Sequence, residues 1–365
     1  MTLLLAFLVG KTTPLHPDEV GTIGAPILLT DPSVFLKAGE SYFDPAGKRI
    51  IFQAIEHPKK GEEPDEDYGM YLGDLTFDES GTVSGLANIT RVTNEGSANT
   101  CGWFHPTNTS VIMYATTTTP LVGGDVPGYQ RGSGRYRWAF PPKMNIVAHD
   151  LQSGEITQLI TDDEHYLAEG SWSPDGKHVV YCSLASGSGD IYITNLETNI
   201  SRLIVGDDGY DGGPFFSPDG KRIVYRSDRR GNDLLQLYVA ELQFDAQGVI
   251  IGIEREFQLT DNEHVNWGPF WHPNNRFVIY ATSEVSHRNY ELFVCDAGKG
   301  SNGGTTRYGV RKRRITHADG FDGLPVFDAT GDLLMWTSKR ETGTSQLWVA
   351  PFLFDLDAAP TEAAQ

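Results

Sequence analysis

The sequence predicts an all-β chain, a single six-bladed β-propeller of four-stranded antiparallel blades closed by an N-terminal strand. Three observations carry this. One turn phrase recurs six times along 365 residues. Each copy is followed by an alternating apolar run and then by a further apolar run. The run Pro26-Ile27-Leu28-Leu29-Thr30, ahead of the first turn, reads as a fourth strand with no first three before it.

The turns come first because they set the register. Ser173-Pro174-Asp175-Gly176-Lys177 precedes Val179-Val180-Tyr181, and Ser217-Pro218-Asp219-Gly220-Lys221 precedes Ile223-Val224-Tyr225. Looser copies begin at Asp44, His105, His272 and Asp328. Their second residues fall at 45, 106, 174, 218, 273 and 329, so they are separated by 61, 68, 44, 55 and 56 residues. Proline presets the first corner, aspartate or asparagine accepts the second, and glycine supplies the left-handed residue that closes the hairpin. Each turn therefore joins the innermost strand of a blade to the next.

Third strands follow at Met70-Tyr71-Leu72, Ile146-Val147-Ala148, Ile191-Tyr192-Ile193, Leu237-Tyr238-Val239, Leu292-Phe293-Val294 and Leu347-Trp348-Val349. Fourth strands end in phrases such as Gln158-Leu159-Ile160-Thr161 and Gln258-Leu259-Thr260. The last unit stops after three strands, near Phe352. The orphan strand at 26–30 completes it and leaves no open edge at the seam. The organisation read from this is an N-terminal segment 1–24, a propeller 25–354 and a disordered tail 355–365.

The phrase S-P-D-G-K-x-[IV]-x-[YF]-x-S, followed by an [IL]-[YW]-[VI] strand, resembles the TolB-type, WD40-like propeller repeat (PD40). The resemblance spans about Pro26 to Phe352. It implies the fold strongly and the function weakly, because such propellers include periplasmic scaffolds, oligogalacturonate lyases and propellers fused to peptidases. It also implies a bacterial, periplasmic or secreted protein. Met1–Gly10 resembles the apolar core of a secretory signal, truncated, without a basic leader or a small-x-small cleavage site. An added strand or a disordered tail is the competing reading.

Net charge is −19, from 29 basic and 48 acidic residues. That disfavours nucleic acid, whose phosphates need a basic face. No apolar run approaches the length of a membrane-spanning helix. Cys101, Cys182 and Cys295 are odd in number and lie in different blades, so they read as buried apolar residues. There is no G-x-S-x-G elbow, no H-E-x-x-H and no phosphate-binding glycine loop.

Candidate site residues come from aligning the six turns. Seven positions before the turn proline stand Ala38, Asn99, Leu167, Asp211, Asn266 and Asp322. Five before it stand Glu40, Cys101, Glu169, Gly213, Gly268 and Leu324. On this alignment Asp211, Asp322, Asn266 and Glu169 are expected on the channel rim, as ligands for a cation, a sugar or a peptide amine. Outside them a collar is expected from loops after second strands, including Arg226, Arg229, Arg230, Asn289, Lys339 and Arg340. The long loop of blade two, 119–143, is expected to be a recognition element or lid, through Arg131, Arg135, Arg137 and Trp138 together with Tyr129, Tyr136 and Phe140. His165 and His264 share a phrase in non-adjacent blades. They are the candidate ligands for a divalent cation, with His317 out of column as a third. The competing assignment for each of these groups is structural: capping, channel water or surface pairing.

The reading of function is a non-catalytic binding or scaffold propeller holding a protein or glycan partner at the rim, with no resident cofactor. The alternative is a metal-assisted lyase or hydrolase acting on an oligosaccharide or peptide at the same rim. The far-ultraviolet circular dichroism of the chain should be dominated by strand, and a helical spectrum would refute the propeller.

Overall fold

The structure is a computed structural model that describes residues 8–120, 128–130, 137–297, 309 and 311–355. Six antiparallel sheets follow one another along the chain, and a seventh, two-stranded sheet is inserted in blade two. The blades begin with the inner strands Phe35–Phe43, Ser97–Phe104, Leu167–Trp172, Asp211–Phe216, Asn266–Trp271 and Asp322–Phe327. Within each blade the strands pair in chain order, as short turns dictate.

The six turns share one physical plan. In blades three and four a serine hydroxyl donates to the turn aspartate and accepts from the first strand amide beyond the turn. Ser173 Oγ lies 2.5 Å from Asp175 Oδ1 and 2.9 Å from the His178 amide. In blades one and six an aspartate takes the serine's place and accepts two amides itself, Asp44 from Lys48 and Arg49, and Asp328 from Gly331 and Leu333. In blades two and five a histidine Nδ1 accepts, at His105 and His272. The degenerate copies are thus chemically equivalent: each begins with an acceptor that ties down the turn. Gly176, at φ +72°, is pressed against the His105 ring of the preceding turn, where a Cβ would come within 2.6 Å. A side chain there would both strain the backbone and displace the neighbouring blade.

Apolar residues between the sheets form the core. Among the largest fully buried side chains are Trp336, Trp348, Tyr114, Tyr225 and Tyr280. All five lie on second or third strands, because a middle strand of a blade is covered on both faces.

Closure occurs as the orphan strand predicts. Ile27 and Leu28 pair with Val349 and Trp348 of the last blade. Residues 8–12, ahead of it, form strands as well. Leu8–Val9 adds a fifth strand to the outer edge of blade one, and Lys11–Thr12 adds one to blade six. Gly10 lies between them, donating its amide to Ser84 O at 2.7 Å. A Cβ on Gly10 would stand 2.4 Å from Ile27 Cγ2, so only glycine lets the chain pass between the two blades.

A short 3-10 helix, Pro17–Glu19, then brings Glu19 into a fully buried position. Glu19 accepts from Arg340 Nη2 at 3.0 Å and from the His317 amide at 2.8 Å. Arg340 also meets Asp322 Oδ2 at 3.0 Å. Replacing Arg340 with alanine strands two buried carboxylates. It should destabilise the protein by about 3–5 kcal/mol, read by chemical denaturation at pH 7, and a loss below about 1 kcal/mol would show that this cluster does not hold the N-terminal segment.

Candidate functional site: the closed central channel

All six inner strands carry a β-bulge at the same place. Register shifts fall between Gly39 and Ser41, Thr100 and Trp103, Ala168 and Ser171, Gly212 and Phe215, Trp267 and Phe270, and Gly323 and Val326. At each bulge the residue five before the turn proline has left-handed backbone, with φ of +40° to +58° across Glu40, Cys101, Glu169, Gly213, Gly268 and Leu324. A bulge sets two residues opposite one and re-aims the side chains on either side. It turns this column toward the axis and the column two residues earlier into the blade.

The consequence separates the expected rim residues. Asp211, Asn266 and Asp322 are 0%, 0% and 1% exposed, so they do not form an open rim. Asn266 Nδ2 reaches the carbonyls of Leu235 and His264 and the side chains of Gln236 and Asn262. Asn99 bonds Tyr68 O and Ser97 in the same way. Asp322 accepts from Trp336 Nε1 at 3.1 Å and from Arg340. These side chains tie loops to strands.

Glu40, Cys101 and Glu169 do face the channel. With Arg226, Trp267 and Leu324 they line a cavity of about 40 Å³. Glu169 accepts from the Tyr210 hydroxyl, the Gly213 amide and Arg226 Nη2 at 2.6, 2.5 and 3.1 Å. Glu40 accepts from Tyr42 and Thr100 at 3.3 and 3.2 Å. Burial pushes the Glu40 carboxyl up, against the pull of the Cys101 thiol and Arg226. Burial, with both carboxylates adding to it, raises the Cys101 thiol well above its ordinary value, which makes it a poor nucleophile.

Beneath this vestibule the channel is shut by an aromatic plug. Tyr42, Trp103, Phe215 and Phe270 come from the position three before the turn proline in blades one, two, four and five. Tyr42 and Trp103 stack with centroids 4.2 Å apart, and Phe215 and Phe270 meet edge to face at 5.5 Å. Trp103 touches both, at 5.6 and 6.1 Å. Ser171 and Val326, both buried, hold the same position in blades three and six. On the turn face the plug floors a funnel of about 330 Å³. The sequence carries a signal for this funnel that column reading from the strand starts passes over. The position two before the proline is aromatic in all six blades: Phe43, Phe104, Trp172, Phe216, Trp271 and Phe327.

The expected collar is paired internally. Arg226 belongs to Glu169. Arg229 meets Asp207 and Glu256 at 2.9 and 2.7 Å, and Arg230 meets Asp261. Asn289 donates to Glu291 and accepts from the Gly320 amide. Arg340 is buried with Glu19 and Asp322, while Lys339 is exposed. Of the long loop, Gly128–Gln130 and Arg137–Ala139 pair as a small hairpin, and Phe140 packs against Tyr166 and Tyr210 at 5.0 and 5.8 Å. Arg131, Arg135 and Tyr136 lie outside the described residues, as do the side chains of Tyr129, Arg137 and Trp138.

His165 Nδ1 lies 2.9 Å from Asp162 Oδ2, and the His264 amide donates to Asn262. Among the described residues no group of three or more His, Cys, Asp and Glu side chains is arranged to hold a metal. His317 stacks on His16, 5.9 Å between centroids, and joins neither of the other two.

Residues 140–251 match the family model of the TolB beta propeller domain. This stretch carries TolB-type propeller repeats. Its fold is similar to that of a putative TolB from Agrobacterium tumefaciens, at 17% identity over 89% of this chain and 93% of that one, with a TM-score of 0.53. It is similar to TolB from Acinetobacter baumannii at 17% identity over 84% of this chain and 64% of that one, with a TM-score of 0.54. An oligogalacturonate lyase from Vibrio parahaemolyticus has the same fold at 12% identity, covering 96% and 98%, with a TM-score of 0.51. No curated protein sequence matches the chain. No helix among the described residues is long and apolar enough to cross a membrane.

Asp211 provides a test of how these polar groups behave. Its Oδ1 meets no donor in hydrogen-bond geometry, with Arg229 3.8 Å away, and burial pushes its pKa up to about 6 despite Ser227 and Arg229. The folded value exceeds the unfolded one of about 3.9, so this carboxyl favours folding most when protonated, below pH 4. That contribution is lost as the pH rises through about 6. Asp211→Asn should therefore gain stability relative to the parent between pH 4 and pH 7, by up to about 3 kcal/mol, in parallel urea titrations. A variant that loses ground as the pH rises would contradict this account.

Proposed function

We propose that the chain is a non-catalytic binding propeller that holds a protein or glycan partner on its loop face, in a periplasmic or extracellular compartment. One observation carries the reading. The channel ends in a vestibule of about 40 Å³ above an aromatic plug. That is room for water but not for a sugar ring or a side chain, which need sites several times larger. A partner therefore engages the loops around the mouth rather than the axis itself. The TolB-type repeats of residues 140–251 support the compartment in this reading.

The loop of blade two is the recognition element in this proposal. Phe140 fixes its base on Tyr210, whose hydroxyl bonds Glu169, so the loop and the vestibule are mechanically linked. The three arginines 131, 135 and 137 occur with no acid between them in a chain of net charge −19, which suits an acidic partner or a uronic acid. The competing assignment is a metal-assisted lyase or hydrolase with a divalent cation at His165 and His264.

Replacing residues 123–138 with a short Gly/Ser linker tests the proposal. The variant should keep its melting temperature and lose at least about tenfold in affinity for the partner that the parent captures from a periplasmic extract. Unchanged capture would overturn the role of the loop. Elemental analysis of the purified parent, beside His165→Ala and His264→Ala, tests the competing assignment. Stoichiometric Mn, Zn or Ca that the two variants lose, together with cleavage of an oligogalacturonide, would establish the enzyme instead.

A further inference from the structure

We infer that the turn-face funnel is a second binding site, distinct from the loop face, and that it takes a proline-rich extended segment free of acidic residues. Its walls are aromatic, and its mouth is ringed by the turn prolines at 45, 106, 174, 218 and 273. Its volume of about 330 Å³ suits one or two compact rings. Ring faces on an aromatic floor are the mode by which Pro-rich segments dock in other folds.

Hydrogen bonding narrows the occupant further. Trp103 and Trp172 line the funnel, and their indole N–H groups are buried and have no acceptor. Trp172 is only 8% exposed. The carboxylates of the funnel are already engaged. Asp44 and Asp328 each take two backbone amides, and Ser171 Oγ donates to Pro214 O. The site therefore has unmet indole donors beside carboxylates that are already bonded. A proline residue matches this, having a carbonyl and no backbone N–H.

Charge decides the rest. Asp44 and Asp328 are the charged residues of the lining, and both are anionic. With a net charge of −19 on the chain, an acidic segment is repelled and a neutral or basic one is admitted. A groove of about 860 Å³ opens from the same turns, sharing Ser173, Pro174 and Pro218, and runs beneath the hairpin of blade four toward the exposed Phe244. It gives the flanking residues of an extended segment a path off the axis.

Acetylated hexaproline titrated into the full chain is the probe. Trp103, Trp172 and Trp271 line the funnel, so occupancy should give a saturable change in tryptophan fluorescence. Trp172→Phe and Trp103→Phe keep a ring and delete the donor, and each should weaken hexaproline about fivefold with the melting temperature little changed. Two lysines flanking the prolines should tighten binding, and two glutamates should weaken it. Absence of saturation, equal binding by both variants, or tighter binding of the glutamate peptide would overturn the inference. Should either variant fail to fold, the indole N–H resonances of the parent decide. Two of them must move downfield on saturation with hexaproline, and immobile resonances would refute the site. Capture of the loop-face partner is unchanged by hexaproline if the two sites are distinct, so failure of one reading leaves the other standing.

Discussion

The bulge in each inner strand is the constraint on which the rest of the molecule depends. Six strands must descend side by side around one axis, and their side chains must fill that axis without colliding. A regular strand would send alternate residues to the channel with fixed period two. A left-handed residue at the same point in every blade breaks that period once. Above the break the axis receives Glu40, Cys101 and Glu169, and below it Tyr42, Trp103, Phe215 and Phe270. Four of the six bulges place a larger residue, Glu40, Cys101, Glu169 or Leu324, in a backbone region that glycine occupies more easily. The packing of the surrounding blades holds them there, and strain of this kind is commonest where a protein has a use for the side chain so aimed.

The polar residues seven before the turn proline show the opposite economy. A propeller brings loop backbone close to buried strand ends, and those amides and carbonyls need partners. Asn99 and Asn266 supply donors and acceptors from one side chain, and Asp322 joins an indole, a guanidinium and through it the N-terminal segment. Asp211 is the imperfect member, with one oxygen left unmet and its proton affinity raised accordingly. Glu291, fully buried beside Asp322, has its pKa pushed up to about 8 by burial and by that neighbour, despite bonds to Thr316 and Arg314. The seam between blades five and six thus concentrates buried charge. The N-terminal segment adds Glu19 to it and spans the outer edges of blades one and six on its way. A closed ring fails first where its two ends meet, which is in blade six, and the N-terminal segment adds a strand to that blade and another to blade one.

Much of the architecture was legible in the sequence, for a physical reason. Turn chemistry is local. A proline, an acidic residue and a glycine specify a hairpin wherever they occur, and the alternating run after them specifies a strand. Six copies then imply a ring, and an orphan strand of the form Pro26–Thr30 implies its closure. Ser173, Asp44 and His105 look unlike one another in a repeat alignment, yet each contributes a side-chain acceptor to a backbone amide of its own turn, which is why the degenerate copies still fold alike.

The identity of the channel-facing residues was decided only in three dimensions. Column reading assumes that period two continues to the strand start, and the bulge violates that assumption without a sequence marker, since Glu40, Cys101, Gly213 and Leu324 all tolerate it. Asp211 and Asp322 therefore look like rim residues in the sequence and are buried in the fold. The cluster of Glu19 with Arg340 joins residues 321 positions apart, and no periodicity connects them. The aromatic plug needs four blades at once, and each of its rings alone reads as ordinary core. Local chemistry determined the blades. What fills the space between six of them is a property of their convergence on one axis, and only the tertiary structure states it.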